Sequence, residues 1–183
     1  MDVKWSVCVG SVDLHNSILQ KQLTKDVSRS RKDKQSMTKG MKGQSNHNLD
    51  TKGRLIIPAR LRCGLGDSFV LCKGMDKNVY AYPEEEWEKF SEKLNALPVS
   101  DIKARQFKTF FQGSAVDMEV DSQYRIVIPQ NLREWAGIDK EIVMVGNGSV
   151  AEIWDKDAWD KYNSVEEMDI NDIAADMSAK YGI

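Results

Sequence analysis

The sequence predicts an α+β protein, mainly β, in which two tandem copies of one small unit close a shared barrel as an internal dimer. Three observations predict this. The stretch "NLDTKGRLIIPARLR", Asn48 to Arg62, returns 71 residues later as "EVDSQYRIVIPQNLR", Glu119 to Arg133. The likeness then continues, because "NVYAYPEEEWEKF" is matched by "SVAEIWDKDAWDKY", aligning Trp87 with Trp159 and Phe90 with Tyr162. Finally, a unit of about 45 residues with this many short strands leaves too many open edges to stand alone. Two copies that interleave their hairpins about a pseudo-twofold axis solve that problem.

Each unit reads as strand, turn, strand, helix, strand, strand, with a helix to finish. "RLIIP" and "RIVIP" are β-branched strands stopped by proline. Pro58 and Pro129 then stand at the start of short helices, "ARLRCGL" and "QNLREWAGI", which glycine closes. "SFVLCKG" and "EIVMVGN" are strands, and "VYAY" and "VAEIW" follow them after a turn. Pro83 opens "EEEWEKFSEKLNAL", whose glutamates sit where the helix dipole favours anions, and Asp155 and Asp157 open "KDAWDKYNSV". Between the repeats Ser100 is the expected cap of "DIKARQFKTFFQG", with Ile102, Phe107, Phe110 and Phe111 on one side. Those aromatics are read as core rather than as a base-stacking platform.

The resulting division is an N-terminal extension over 1–42, a first repeat over 43–97, a linker helix over 98–114 and a second repeat over 115–165. An acidic tail or helix over 166–183 completes the chain. The extension, through "VSRSRKDKQSMTKGMKGQSNHN", is polar and basic and reads as disordered. It is either a DNA-grasping arm or a start assigned too far upstream, with Met37 or Met41 the first residue.

Composition removes several classes. No apolar run is long enough to span a bilayer, so no membrane partner is expected. The first twenty residues carry Asp2, Lys4 and Asp13 and lack the pattern of a signal peptide. Cys8, Cys63 and Cys72 form neither a disulfide framework nor a zinc pattern, and His15 and His47 have no ligand-spaced partners. No metal site, no cofactor and no catalytic constellation is expected, and an enzyme on a barrel of this kind would need a catalytic group that the sequence does not show. The net charge of −2 hides a gradient: the segment around Arg54 is basic, while from Glu152 onward nine acids face three bases. Such a chain can hold a polyanion in one orientation.

The turn "LDTKGR" explains itself chemically. Asp50 can accept from backbone N–H groups two residues on, Gly53 can take a positive φ, and Arg54 leaves the turn at a fixed position. A purely structural Asp–Arg ion pair is the competing reading. Two copies, with Lys52, Arg60 and Arg62 beside the first, favour an anion-binding surface. In the second copy Asp121 and Arg125 recur, but Gln123 replaces Lys52 and Tyr124 replaces Gly53. A tyrosine at positive φ costs about 1–2 kcal/mol, so this turn is expected to take another geometry and to place Arg125 differently.

The doubled D-x-x-x-R before three aliphatics and proline, "YPEEEWEKF", "RQFKTFFQGSA" and "EIWDKDAW" together resemble the MraZ family, over residues 43–165. Its members are bacterial transcriptional regulators built from tandem SpoVT-AbrB domains. The resemblance implies a swapped-hairpin barrel, a ring-shaped homo-oligomer, and a cytoplasmic, nucleoid-associated location. It also implies repression through G-rich direct repeats of double-stranded DNA upstream of its own division and cell-wall gene cluster. DNA contacts are then expected from Lys52, Arg54, Arg60, Arg62, Gln123 and Arg125, with Asp50, Gly53 and Asp121 shaping the turns. An arginine can hold guanine O6 and N7 with two parallel hydrogen bonds. The alternative is an antitoxin-like AbrB-fold module that binds a protein partner as well as DNA, for which the acidic tail is the only candidate surface.

Overall fold

A computed structural model describes residues 40–164 and 169–182. The expectations for residues 1–39, including a disordered arm, lie outside the described residues. Chain order begins β1 (Met41–Asn48), β2 (Arg54–Ile56), α1 (Ala59–Leu65), β3 (Ser68–Lys73), β4 (Val79–Pro83) and α2 (Glu84–Asn95). The linker helix α3 (Ile102–Gln112) follows. The second repeat then gives β5 (Val116–Glu119), β6 (Arg125–Val127), α4 (Gln130–Ala136), β7 (Glu141–Gly148), β8 (Val150–Asp155) and α5 (Lys156–Tyr162). A final helix, α6 (Ile170–Tyr181), stands in the acidic tail.

All strand pairing is antiparallel. Six strands form one sheet in the order β1-β7-β8-β4-β3-β5, and β2 and β6 form a separate ribbon. The two repeats interleave: β1 pairs with β7, β5 with β3 and β4 with β8, each across the repeat boundary. The order is the same read from either edge once one repeat is exchanged for the other. The expected single closed barrel is not what the strands form. Ile57-Pro58 and Ile128-Pro129 end β2 and β6 after three residues, so the ribbon pairs only with itself and does not close the sheet.

The ribbon lies over the sheet with the core between them. Leu55 and Ile126 of the ribbon, Leu61 and Leu65 of α1, and Leu132 of α4 join Phe69, Leu71, Val79, Ile142, Met144 and Ile153 of the sheet in one buried cluster. A second cluster on the opposite face gathers Cys72, Leu94 and Phe111 beneath Tyr82, Trp87, Phe90 and Phe110. The linker aromatics are thus core only in part. Phe111 is buried, while Ile102 and Phe107 remain exposed.

Two further expectations are corrected. Residues 41–48, read as disordered, are the eight-residue strand β1, paired along its length from Met41↔Gly148 to Asn48↔Glu141. Few of these residues favour a strand on their own. Burial of Met41 and Leu49 and a close seat on β7 decide the matter. A Cβ at Gly146 would meet Lys42 N at 2.5 Å, so only glycine lets β1 come this near. The cap of α3 is Asp101, not Ser100: its carboxylate accepts from Lys103 N at 2.7 Å and Ala104 N at 3.4 Å. A carboxylate one residue closer to the helix outcompetes the hydroxyl for those N–H groups.

Candidate nucleic-acid interface

The two D-x-x-x-R loops repeat the same hydrogen bonds, and the second adds a contact from Arg125 Nη2 to Asp121 Oδ2 at 2.7 Å. In the first, Asp50 Oδ1 accepts from Lys52 N at 2.8 Å and Arg54 N at 2.9 Å, and Oδ2 from Arg54 Nε at 2.6 Å. In the second, Asp121 Oδ1 accepts from Gln123 N at 2.8 Å and Arg125 N at 3.0 Å, and Oδ2 from Arg125 Nε at 2.7 Å. Each Asp also exchanges backbone hydrogen bonds within its turn, to Arg54 O and from Gly53 N in one, to Arg125 O and from Tyr124 N in the other. Every partner in these bonds lies within four residues. The bonds hold both carboxylates in the charged form. Asp50 is shifted below the usual range chiefly by the Arg54 N–H, and Asp121 falls to about 2, chiefly through the Arg125 guanidinium.

The expectation that Tyr124 forces a different turn is overturned. Tyr124 adopts φ 56°, close to the 71° of Gly53, and Arg125 leaves its loop as Arg54 does. What supports the strained residue comes from the other repeat. The Arg62 guanidinium lies 4.2 Å from the centre of the Tyr124 ring, and Arg62 Nε donates to Ile57 O at 2.9 Å. Ile57 N–H in turn donates to Tyr124 O at 2.9 Å. The pseudo-equivalent Arg133 reaches over the first loop, with Nη1 only 3.0 Å from where a Cβ on Gly53 would stand. An arginine of the opposite repeat therefore lies against each loop, Arg62 on the Tyr124 ring and Arg133 beside Gly53. The alignment of Arg133 with Arg62 in the repeat is the sequence signal that points to this residue.

Arg60 turns back onto β1, where its guanidinium donates to Gln44 O. Lys52 and Gln123 stand exposed at equivalent positions of the two loops. Arg54 and Arg125 flank the ribbon, in register as Arg54↔Val127 and Ile56↔Arg125. Opposed residues of an antiparallel pair share a face, so both arginines emerge on the outer side while Leu55 and Ile126 point into the core. The site thus gathers Arg54, Arg125, Lys52 and Gln123 as presented groups, with Arg62 alongside, and sets Arg60 apart as a brace on β1.

Other chemistry finds little support among the described residues. Burial pushes the Cys72 thiol up to about 12, far from a nucleophile's range. No group of three or more His, Cys, Asp or Glu residues is placed to hold a metal ion, and no helix is long and apolar enough to cross a membrane.

Comparison with known proteins supplies the lineage. The family described as "MraZ protein, putative antitoxin-like" matches residues 41–110 and again 111–180. The transcriptional regulator MraZ of Desulforamulus reducens is 48% identical over 132 residues, covering 72% of this chain and 93% of the relative. Those of Acetivibrio thermocellus and Clostridium beijerinckii are 45% and 47% identical over 136 residues, each covering 74% of this chain and 95% of the relative. These relatives are named as regulators of transcription and not as enzymes. With the duplicated loops, the interleaved strands and the doubled match all in place, the chain belongs to the MraZ family of transcriptional regulators.

Proposed function

We propose that the protein is a sequence-specific DNA-binding repressor that reads G-rich direct repeats upstream of its own division and cell-wall gene cluster. One observation carries this reading: two Asp-braced arginines, fixed by equivalent turns, stand on one outer face of a two-stranded ribbon. Asp50 holds the Arg54 guanidinium through Nε, and Asp121 holds that of Arg125 through Nε and Nη2, which fixes their directions and leaves the remaining terminal N–H groups for guanine O6 and N7. Lys52 and Gln123 serve as phosphate or base-edge contacts from the loop tips. Arg62 braces the second loop, Arg60 braces β1, and both add to the positive field. On this reading the two repeats, 43–97 and 115–165, are one swapped-hairpin pseudo-dimer joined by α3, and the protein acts in the cytoplasm on the nucleoid. Its copies assemble into a closed ring, so that neighbouring subunits present the same loops in the same direction to direct repeats. An antitoxin-like role with a protein partner is favoured by one observation, the exposed apolar residues Ile170, Ile173 and Tyr181 of α6.

Paired melts and titrations on DNA from upstream of its own gene test the DNA reading. Arg54→Ala should melt like the parent and lose about 1–3 kcal/mol of binding, with relaxed preference at guanine positions. Because the two loops share one geometry, Arg125→Ala should cost a similar amount. Lys52→Ala should weaken all sequences alike and flatten the salt dependence. Undiminished affinity in folded Arg54→Ala would leave the arginines as structural ion pairs only.

A further inference from the structure

Between the two arginines the ribbon exposes two large aliphatic side chains. Ile56 and Val127 are each 51% exposed, although Leu55 and Ile126 beside them are buried. The register Arg54↔Val127 and Ile56↔Arg125 puts these four outward residues at the corners of one patch. The guanidiniums stand on one diagonal and the aliphatics on the other. The core does not require the aliphatics, because the inner face of the ribbon already supplies its share. Polar β-branched residues would serve the strands equally well. Both repeats nonetheless carry an aliphatic there.

We propose that Ile56 and Val127 are specificity-determining residues that contact the C5-methyl groups of thymines neighbouring the guanines held by Arg54 and Arg125. This inference rests on the DNA reading above and adds a second base to what the ribbon recognises. A two-stranded ribbon is one of the elements that the major groove admits, and the thymine methyl is the apolar feature displayed on its floor. The charges around the patch favour this occupant over a second copy of the chain. Asp50 and Asp121 are already committed to Arg54 and Arg125, so a self-contact through this face would set Lys52, Arg62 and the arginines' remaining N–H donors against the same donors of a partner, whereas a nucleic acid brings phosphates to meet them.

Replacing thymine by deoxyuridine removes only the methyl group. The experiment compares the full chain on duplexes from upstream of its own gene, made with thymine or with deoxyuridine, singly and throughout. The parent should prefer the thymine duplex by about fourfold for each methyl buried. In the Ile56→Ala/Val127→Ala double variant that ratio should fall to near one, while the melt and the salt dependence stay close to the parent's. The single variants, each keeping one aliphatic, should lower the ratio part-way and cover the case in which the double variant loosens the ribbon. Equal binding of both duplexes by the parent overturns the inference but not the guanine reading, which Arg54→Ala tests separately. A preference for thymine that persists undiminished in the variants overturns it as well. So does a double variant that changes the number of subunits but keeps the ratio, which would make the patch a subunit contact. Failure of the parent to bind either duplex removes the DNA reading and this inference together.

Discussion

At the scale of single residues, Tyr124 carries a cost that the rest of the second loop contains. A non-glycine residue at φ 56° lies in the left-handed region, and the ring is held under Arg62 at 4.2 Å. Alanine here would keep the backbone strain and lose the cation–π contact. Glycine would relieve the strain, at some cost in unfolded-state entropy. Tyr124→Gly should therefore be more stable than Tyr124→Ala by about 1 kcal/mol in denaturant titrations, and the reverse order would mean that the turn is not strained. The neighbouring carboxylate offers a second check. Asp121 is lowered from 3.8 to about 2, mainly by Arg125. Its folded-state value is depressed, so its stabilising contribution is fully present above 3.8 and is lost as pH falls toward 2. A carboxyl-carbon NMR titration should place its midpoint near 2, and Arg125→Ala should return it toward 3.8. A parent midpoint in the ordinary range would contradict the bracing geometry.

Among the elements, β1 is the one whose stability should respond to mild acid. His47 lies on β1 opposite Ile142, half-buried, and its pKa is lowered from 6.5, first by burial and then by the charge of Arg60. A depressed histidine is neutral in the fold. Its contribution is therefore complete above 6.5 and is lost as pH falls below that value, when the imidazole must take a charge beside Arg60. Hydrogen exchange of the β1–β7 amides, corrected for intrinsic rates, should show protection falling between pH 7 and pH 5. In His47→Gln the loss should disappear. Protection that is flat across this range in the parent would remove His47 as the cause. Because β1 also receives the Arg60 side chain at Gln44, its loosening would reach the first loop through α1.

For the whole molecule, the interleaved pairing makes the two loops one surface, since an arginine from the opposite repeat lies against each. Further apolar exposure lies along α6, where Ile170 is 59% and Tyr181 71% exposed and no residue of the helix is buried. An amphipathic helix of twelve residues with none of them buried among the described residues is marginal in water, so contact with another chain would stabilise it. In the proposed ring that contact is a neighbouring subunit. Light scattering at micromolar concentration should give a discrete species well above a dimer for the full chain. A chain ending at Ser164 should give a smaller one with an unchanged melt of the β domain. A full-length monomer would end the ring proposal and leave α6 to a different protein partner.

By itself the sequence determined the duplication, the proline-limited strands, the helix starts after Pro58, Pro83 and Pro129, and the bonding of Asp50 and Asp121 in their loops. In each case the controlling interaction is local: Asp50 and Asp121 bond groups at most four residues away, and a proline ring acts on its own φ. Family membership was legible for the same reason, because those local signatures repeat at fixed spacing. Tertiary structure alone decided the rest. The strand at 41–48 exists because β7, a hundred residues on, supplies its partner and the core accepts Met41. Tyr124 keeps a glycine-like turn because Arg62 of the other repeat stacks on it. The closed barrel gave way to a sheet and a ribbon because three-residue strands run out of backbone donors before they can reach the sheet edges. Pairing, stacking and burial join residues far apart in the chain, and their free energies depend on which surfaces meet, which no local pattern records.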